Sequence, residues 1–207
     1  MAFINLGIDQ EEIGNLTRRL DGCREKIPEA LKNAVNDTAR DAKKDLANKA
    51  AETYAVKKAN FKRAIKQENA TKSSPLATLV ITGKANALTD FRYSTNRGEK
   101  SAKGKLLKAR SLKDLTEKRR RLKAFVVKFK SGHVAVVRRE PSESYTRGLE
   151  ERQRKKLDTA KLREYLAPPI PRMIGNKDKV YGVVEPKMQE NLRRNMEKQV
   201  EKILRER

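Results

Sequence analysis

One histidine, one cysteine and no tryptophan occur among 207 residues. The usual zinc sites take several His and Cys ligands from one chain, so this inventory excludes them. Cys23 has no partner for a disulfide within the chain, and on its helical pattern it reads as a small packing residue. A Cys–His nucleophile pair would need Cys23 to meet His133, which falls at the tip of an expected hairpin, an exposed turn position. The serines lie in turns and loops with no G-x-S-x-G elbow. "RGEKSAKGKL" lacks the G-x-x-x-x-G-K-[ST] spacing of a phosphate-cradling loop. The chain is therefore read as a non-enzyme with no cofactor.

Long apolar runs are missing too. No stretch approaches the ~20 apolar residues of a membrane-spanning helix. "MAFINLGID" lacks the basic start and apolar run of a secretory signal, so a cytoplasmic origin without a membrane partner is expected. Apolar residues make up 37% and aromatics 5%, which allows only a thin core for this length.

Positive charge is abundant. Fifty Lys and Arg against 27 Asp and Glu give a net charge of +23, which attracts polyanions. The densest stretch is 97–121, "RGEKSAKGKLLKARSLKDLTEKRRR", read as a basic loop. Within it Lys103, Lys105, Lys108, Arg110, Arg119, Arg120 and Arg121 are the candidate DNA contacts. Aromatics are absent from the stretch, which argues against stacking on single-stranded bases.

Periodicity outlines the remaining elements. Asp9 with Glu12 three residues on forms a capping box for a first helix, 9–24, with Ile13, Leu16, Leu20 and Cys23 on one face. Pro28 suits the first turn of a second helix, 28–50, in which Leu31, Val35, Thr38, Ala42 and Leu46 recur every three or four residues. "VKKANFKRAIKQ" reads as a shorter helix presenting Phe61 and Ile65. "SSPLATLVITG" reads as a strand over 76–82, followed by Leu88 and Phe91 as apolar anchors. "GKLLKARSL" suggests a strand over 105–111, and "KDLTEKRRR" a helical turn. "LKAFVVKFKSGHVAVVRRE" alternates on both sides of Ser131-Gly132, which predicts a hairpin over 123–139. A two-residue loop there pairs Phe129 with Val134 and Val127 with Val136. Residues 141–160 form a polar loop. Met188, Leu192, Met196, Val200 and Ile203 make the apolar stripe of a last helix, 186–205, opened by Pro186.

Between loop and last helix lies "LREYLAPPIPRMIGNKDKVYG", with three of the seven prolines. Proline fixes φ and restricts the residue before it, so Ala167 to Pro171 should run extended and stiff. Leu166, Ile170, Met173 and Ile174, with Leu192 and Met196, are then the candidate assembly interface.

Taken in order, these segments resemble the prophage minor tail protein Z family, the tail-completion proteins of long-tailed phages. The resemblance rests on the N-terminal helices, "VKKANFKRAI", "LATLVITG", "ALTDF", the hairpin ending in Arg138 and Arg139, and the proline elbow "LREYLAPPIPRMIGN". It covers most of the chain; 97–121 is longer and more basic than the family's pattern. The resemblance implies a virion protein at the head-proximal end of the tail, a homo-oligomer in the form of a six-fold ring. Its partners would be the tail terminator, the tail tube and head-completion proteins, with genomic DNA in the lumen. The family brings no catalytic residues.

The expected fold is α+β in one domain, 1–207. N-terminal amphipathic helices pack on a small, mostly antiparallel sheet built from 76–82, 105–111 and the hairpin, with a C-terminal helix on the sheet or on a neighbouring subunit. The expected function is structural, enabling head–tail joining. A general basic nucleic-acid-binding protein of ribosomal or chromatin type is the alternative.

Overall fold

A computed structural model of the chain describes residues 1–20, 22–56, 58–94, 102–111, 113–115, 124–140 and 161–205. The fold is α+β, with small antiparallel sheets and long helices near both ends of the chain. It divides into two compact units. The first comprises Met1–Thr53, Lys57–Lys84 and Pro169–Arg207, and the second Tyr54–Val56 and Ala85–Pro168.

The first unit opens with strand β1, Ala2–Leu6, which the sequence reading did not anticipate. Helix α1, Gln10–Arg19, starts where expected, because the Asp9 carboxylate accepts the Glu12 N–H at 2.7 Å. It stops short of residue 24, and Gly22 has a left-handed φ of 90°. Helix α2, Ile27–Thr53, carries Pro28 in its first turn, where a missing N–H costs nothing. Helix α3 covers Lys58–Ala64 and ends one residue before Ile65, which begins strand β2, Ile65–Glu68. Ile65 is thus a strand residue, not a helical one. Strand β3, Ala77–Ile81, is the centre of a sheet ordered β1-β3-β2, with both neighbours antiparallel. Its inner face, Ile4, Ala77, Leu79, Ile81 and Ile65, is buried, and α2 packs on this sheet.

The proline elbow is not extended throughout. Pro169 is extended and caps a five-residue helix, α4, Ile170–Ile174, with Pro171 in its first turn. Proline's fixed φ is compatible with a helix start as well as with an extended segment, and here the helix wins. The last helix, α5, Tyr181–Arg205, begins five residues earlier than expected and holds Pro186 inside it. Only the bond to the Gly182 carbonyl is forgone, and it lies in the second turn.

Helix α5 packs on α2, not on a sheet. The two run antiparallel: Leu31 and Ala34 share a cluster with Met196, Val200 and Ile203, and Lys187 reaches Asp45 at 3.0 Å. Midway, the Asn195 amide donates to the Thr38 hydroxyl at 3.1 Å, which donates to the Ala34 carbonyl at 2.8 Å. Thr38 and Asn195 are both buried. Cys23 packs against this helix cluster, as expected of a small packing residue. Arg19 of α1 closes on Glu197 of α5 through two hydrogen bonds, 2.7 and 2.9 Å.

Among the described residues the second unit holds three small sheets, where one was expected. Strands β4, Asn86–Ala87, and β11, Leu166–Ala167, form a pair. Strands β5, Arg92–Ser94, β6, Lys103–Lys105, and β7, Lys113–Asp114, form a sheet ordered β5-β6-β7. The strand expected over 105–111 therefore ends at Lys105, and the start of "KDLTEKRRR" is a strand, not a helical turn. Leu88 opens a 3-10 turn, Leu88–Asp90, and Phe91 closes it; both are buried.

Strands β8, Phe125–Lys128, and β9, Val134–Glu140, form the hairpin, and β10, Lys161–Glu164, adds on the far side of β9. Its register differs from the expectation by one residue: Val127 faces Ala135 and Val126 faces Val136. The loop has three residues, closed by Phe129 N–H to the His133 carbonyl at 2.8 Å, with Gly132 at φ 84°. Gly132 supplies the left-handed residue that a three-residue hairpin loop needs. The slip puts Val136 on the face of Val126 instead of Val127.

The buried relay should be measurable as a coupling. Thr38→Val leaves the Asn195 amide without its acceptor and is expected to cost about 1–3 kcal/mol in urea denaturation. Thr38→Val with Asn195→Leu should recover most of that loss, whereas strictly additive losses would show that the two side chains do not act together.

The Arg19–Glu197 pair gives a pH dependence. The hydrogen bond from Arg19 holds the Glu197 carboxyl below the usual carboxylate range, against a smaller opposing push from burial and with help from the Arg19 charge. A depressed folded pKa stabilises above the unfolded value, about 4.3, and that stability fades as pH falls through the folded value. Both side chains are about half exposed, so water screens the pair. Arg19→Gln should cost less than about 1 kcal/mol at neutral pH. The gap should close as pH falls from about 5 to about 3. A gap that stays constant with pH would mean that only packing was lost.

Candidate functional site

The expected DNA contacts lie in the second unit. Lys103 and Lys105 flank the buried Gly104 on β6, so they share one face of that strand. The register sets Lys105 opposite Arg92 and Lys103 opposite Asp114. Lys108 and Arg110 follow in an exposed turn, and the Lys105 ammonium donates to the Lys108 carbonyl at 3.1 Å. Four of the seven candidates are thus within a few residues of one strand and its turn. Arg119, Arg120 and Arg121 lie outside the described residues. Their segment leaves from Leu115 and returns at Ala124, and Ala124 N–H donates to the Leu115 carbonyl at 2.9 Å. Ala102 ties in as well, accepting from Leu115 at 3.0 Å and donating to Ala124 at 2.7 Å.

The expected assembly residues fare differently. Leu166 is 60% exposed on β11 and remains available. Ile170, Met173, Ile174 and Met196 are buried within the subunit, and Leu192 is partly buried against the α1–α2–α5 cluster. The physical reason is local. Helix α4 turns Ile170, Met173 and Ile174 inward, where an extended elbow would have left alternate residues outside. Charge placed at Ile170 or Met173 would therefore act on the subunit's own interior.

The outer face of the first sheet supplies a surface that the sequence reading passed over. Side chains alternate along a strand, so Phe3 and Asn5 point away from α2. Asn5 accepts a hydrogen bond from Thr78 at 3.2 Å on this face, and Phe3 stands opposite Val80. Phe3 is 62% exposed, Met1 77% and Leu76 47%. A Cβ built on Gly7 would lie 3.1 Å from the Leu76 side chain, so Leu76 extends this face past the end of β1. Among the described residues β1 pairs only with β3, which leaves its other edge open. The signal was present as "AFINL", a period-2 stretch bounded by Gly7, but only five residues long.

His133 behaves as a turn residue. It stacks on Phe129 with ring centroids 5.9 Å apart, and its Nε2 is 3.8 Å from Glu164. Arg138 lies over the Tyr165 ring at 5.6 Å. Among the described residues no group of three or more His, Cys, Asp or Glu is placed to hold a metal ion. Among them, too, no helix is long and apolar enough to cross a membrane.

No family model matches the chain, and neither does any curated protein or solved structure.

Proposed function

We propose that this chain is a structural, non-catalytic subunit of a phage tail, acting as a homo-oligomeric ring at the head-proximal end where head and tail join. The order of helices, strand, hairpin, proline elbow and last helix is the order on which the resemblance to the minor tail protein Z family rests. The observation that carries the assembly role is the open edge of β1, with Met1, Phe3 and Leu76 exposed at the outer face of the same sheet. An open strand edge presents unpaired backbone groups that a neighbouring chain can extend. A closed ring uses two different patches per subunit, and the exposed Leu166 is the second contact in this reading. The tail terminator, tail tube and head-completion proteins are the neighbours, and the protein resides in the virion.

A general nucleic-acid-binding protein is the second reading. The net charge of +23 favours it, as does the grouping of Lys103, Lys105, Lys108 and Arg110 at one strand and its turn.

Particles assembled without this protein distinguish the two. Electron microscopy should then show filled heads and separate tails, and a normal yield of joined particles would reject the tail reading. Phe3→Asp refines the test. Phe3 is exposed, so the variant should keep its stability to within about 0.5 kcal/mol. Its loss of a central apolar contact should lower the yield of joined particles about tenfold or more.

A further inference from the structure

The polar side of α2 meets α3 along an open groove of about 560 Å³, lined by Arg40, Asp41, Lys43, Lys44, Lys62 and Arg63. Five of these six are cationic. Arg40, Lys44, Lys62 and Arg63 are exposed, and Lys43 is half-buried. Arg40 is bound to Asp37 at 2.9 Å. Among the described residues Lys43, Lys44, Lys62 and Arg63 form no ion pair. With Asp41 as the one carboxylate in the lining, these four cations leave the groove net positive and repel each other. An anionic ligand relieves that repulsion.

The lining narrows the ligand. No donor in the groove is deeply buried, so nothing there encloses a single small anion. The cations are spread over two helices, which suits a polymer with repeated charge. Among the described residues no aromatic side chain lines the groove, and Phe61 of α3 is buried, so unstacked bases find no platform there. Among them no apolar side chain lines it either, so none is offered to the interior of a lipid surface.

We propose that this groove binds the phosphate backbone of duplex DNA, with Lys43, Lys44, Lys62 and Arg63 as the phosphate contacts. The contact is blind to sequence and is separate from Lys103, Lys105, Lys108 and Arg110. It does not depend on the tail reading.

The test is fluorescence anisotropy of a short labelled duplex with the full chain across a salt series. Each phosphate contact contributes about 0.9 to the slope of log affinity against log salt. Changing Lys43, Lys44, Lys62 and Arg63 to Gln should therefore flatten the slope by about three to four and weaken binding at least about tenfold near 0.1 M salt. The melting temperature should stay the same, because three of the four side chains are exposed and none has an ion pair. If the fourfold variant fails to fold, Lys44→Gln and Arg63→Gln singly should each lower the slope by about one. Lys108→Gln with Arg110→Gln reads the share of the second unit. An unchanged slope in the fourfold variant overturns the proposal. So does polyglutamate that binds the natural chain as tightly as duplex and loses binding in the same variant, which would assign the groove to an acidic protein.

Discussion

The antiparallel contact between α2 and α5 is the constraint on which the first unit depends. Its α2 face sets Ile27, Ala30, Leu31 and Ala34 in one cluster with Met196, Val200 and Ile203. Ala30 and Ala34 leave room for a close approach, and an apolar stripe by itself tolerates a slide. The register is specified instead by one polar chain, Asn195 to Thr38 to the Ala34 carbonyl. A slide of one turn would leave the buried Asn195 amide unpaired, at about 1–3 kcal/mol, while Thr38 keeps its bond to the Ala34 carbonyl within α2. The same register sets Arg19 against Glu197 and Lys187 against Asp45. The exposed ion pairs add little themselves, and the buried relay decides where they meet.

With that register set, α2 serves three surfaces. One side holds α5, a second rests on the β1-β3-β2 sheet, and the third lines the basic groove with α3. This explains how a chain with 37% apolar residues keeps a packed unit. Most of α2's burial is alanine, and the larger apolar residues, Phe61, Leu79, Ile81, Met173 and Ile174, come from the elements around it.

Helical periodicity was the most legible signal. Leu31 of the α2 stripe shares a cluster with Met196, Val200 and Ile203 of the α5 stripe, Thr38 accepts from Asn195, and the Asp9 cap sits where its spacing placed it. What the stripes could not convey was their partner, since an apolar face looks alike whether it meets a helix, a sheet or another subunit. The hairpin was legible as a hairpin, but its loop length was not. Ser131-Gly132 suits both two- and three-residue loops, and the choice shifts every pair by one. Prolines 169 and 171 were read as stiffness alone, though the same fixed φ starts a helix. At the candidate sites, the cations of β6 were legible by their density, whereas the groove was not. Its lining is split between 40–44 and 62–63, and only the fold of α3 against α2 joins them. β1 was missed because five alternating residues carry little pattern.

Charge finally bears on how such a subunit can assemble at all. Copies carrying +23 each repel one another, and salt weakens that repulsion beyond a Debye length of about 8 Å. Strand addition at β1 is apolar and backbone-mediated, so added salt should favour it. Phosphate contact in the groove has the opposite dependence, because each contact releases counterions. At low salt, then, a ring and a bare groove oppose each other, and a polyanion seated in the groove removes the cost of bringing subunits together. The two proposed surfaces belong to the same compact unit, so neutralising one changes the electrostatic work of using the other. Taken together, the two proposed surfaces imply a chain that assembles best where nucleic acid is already present, and least well alone.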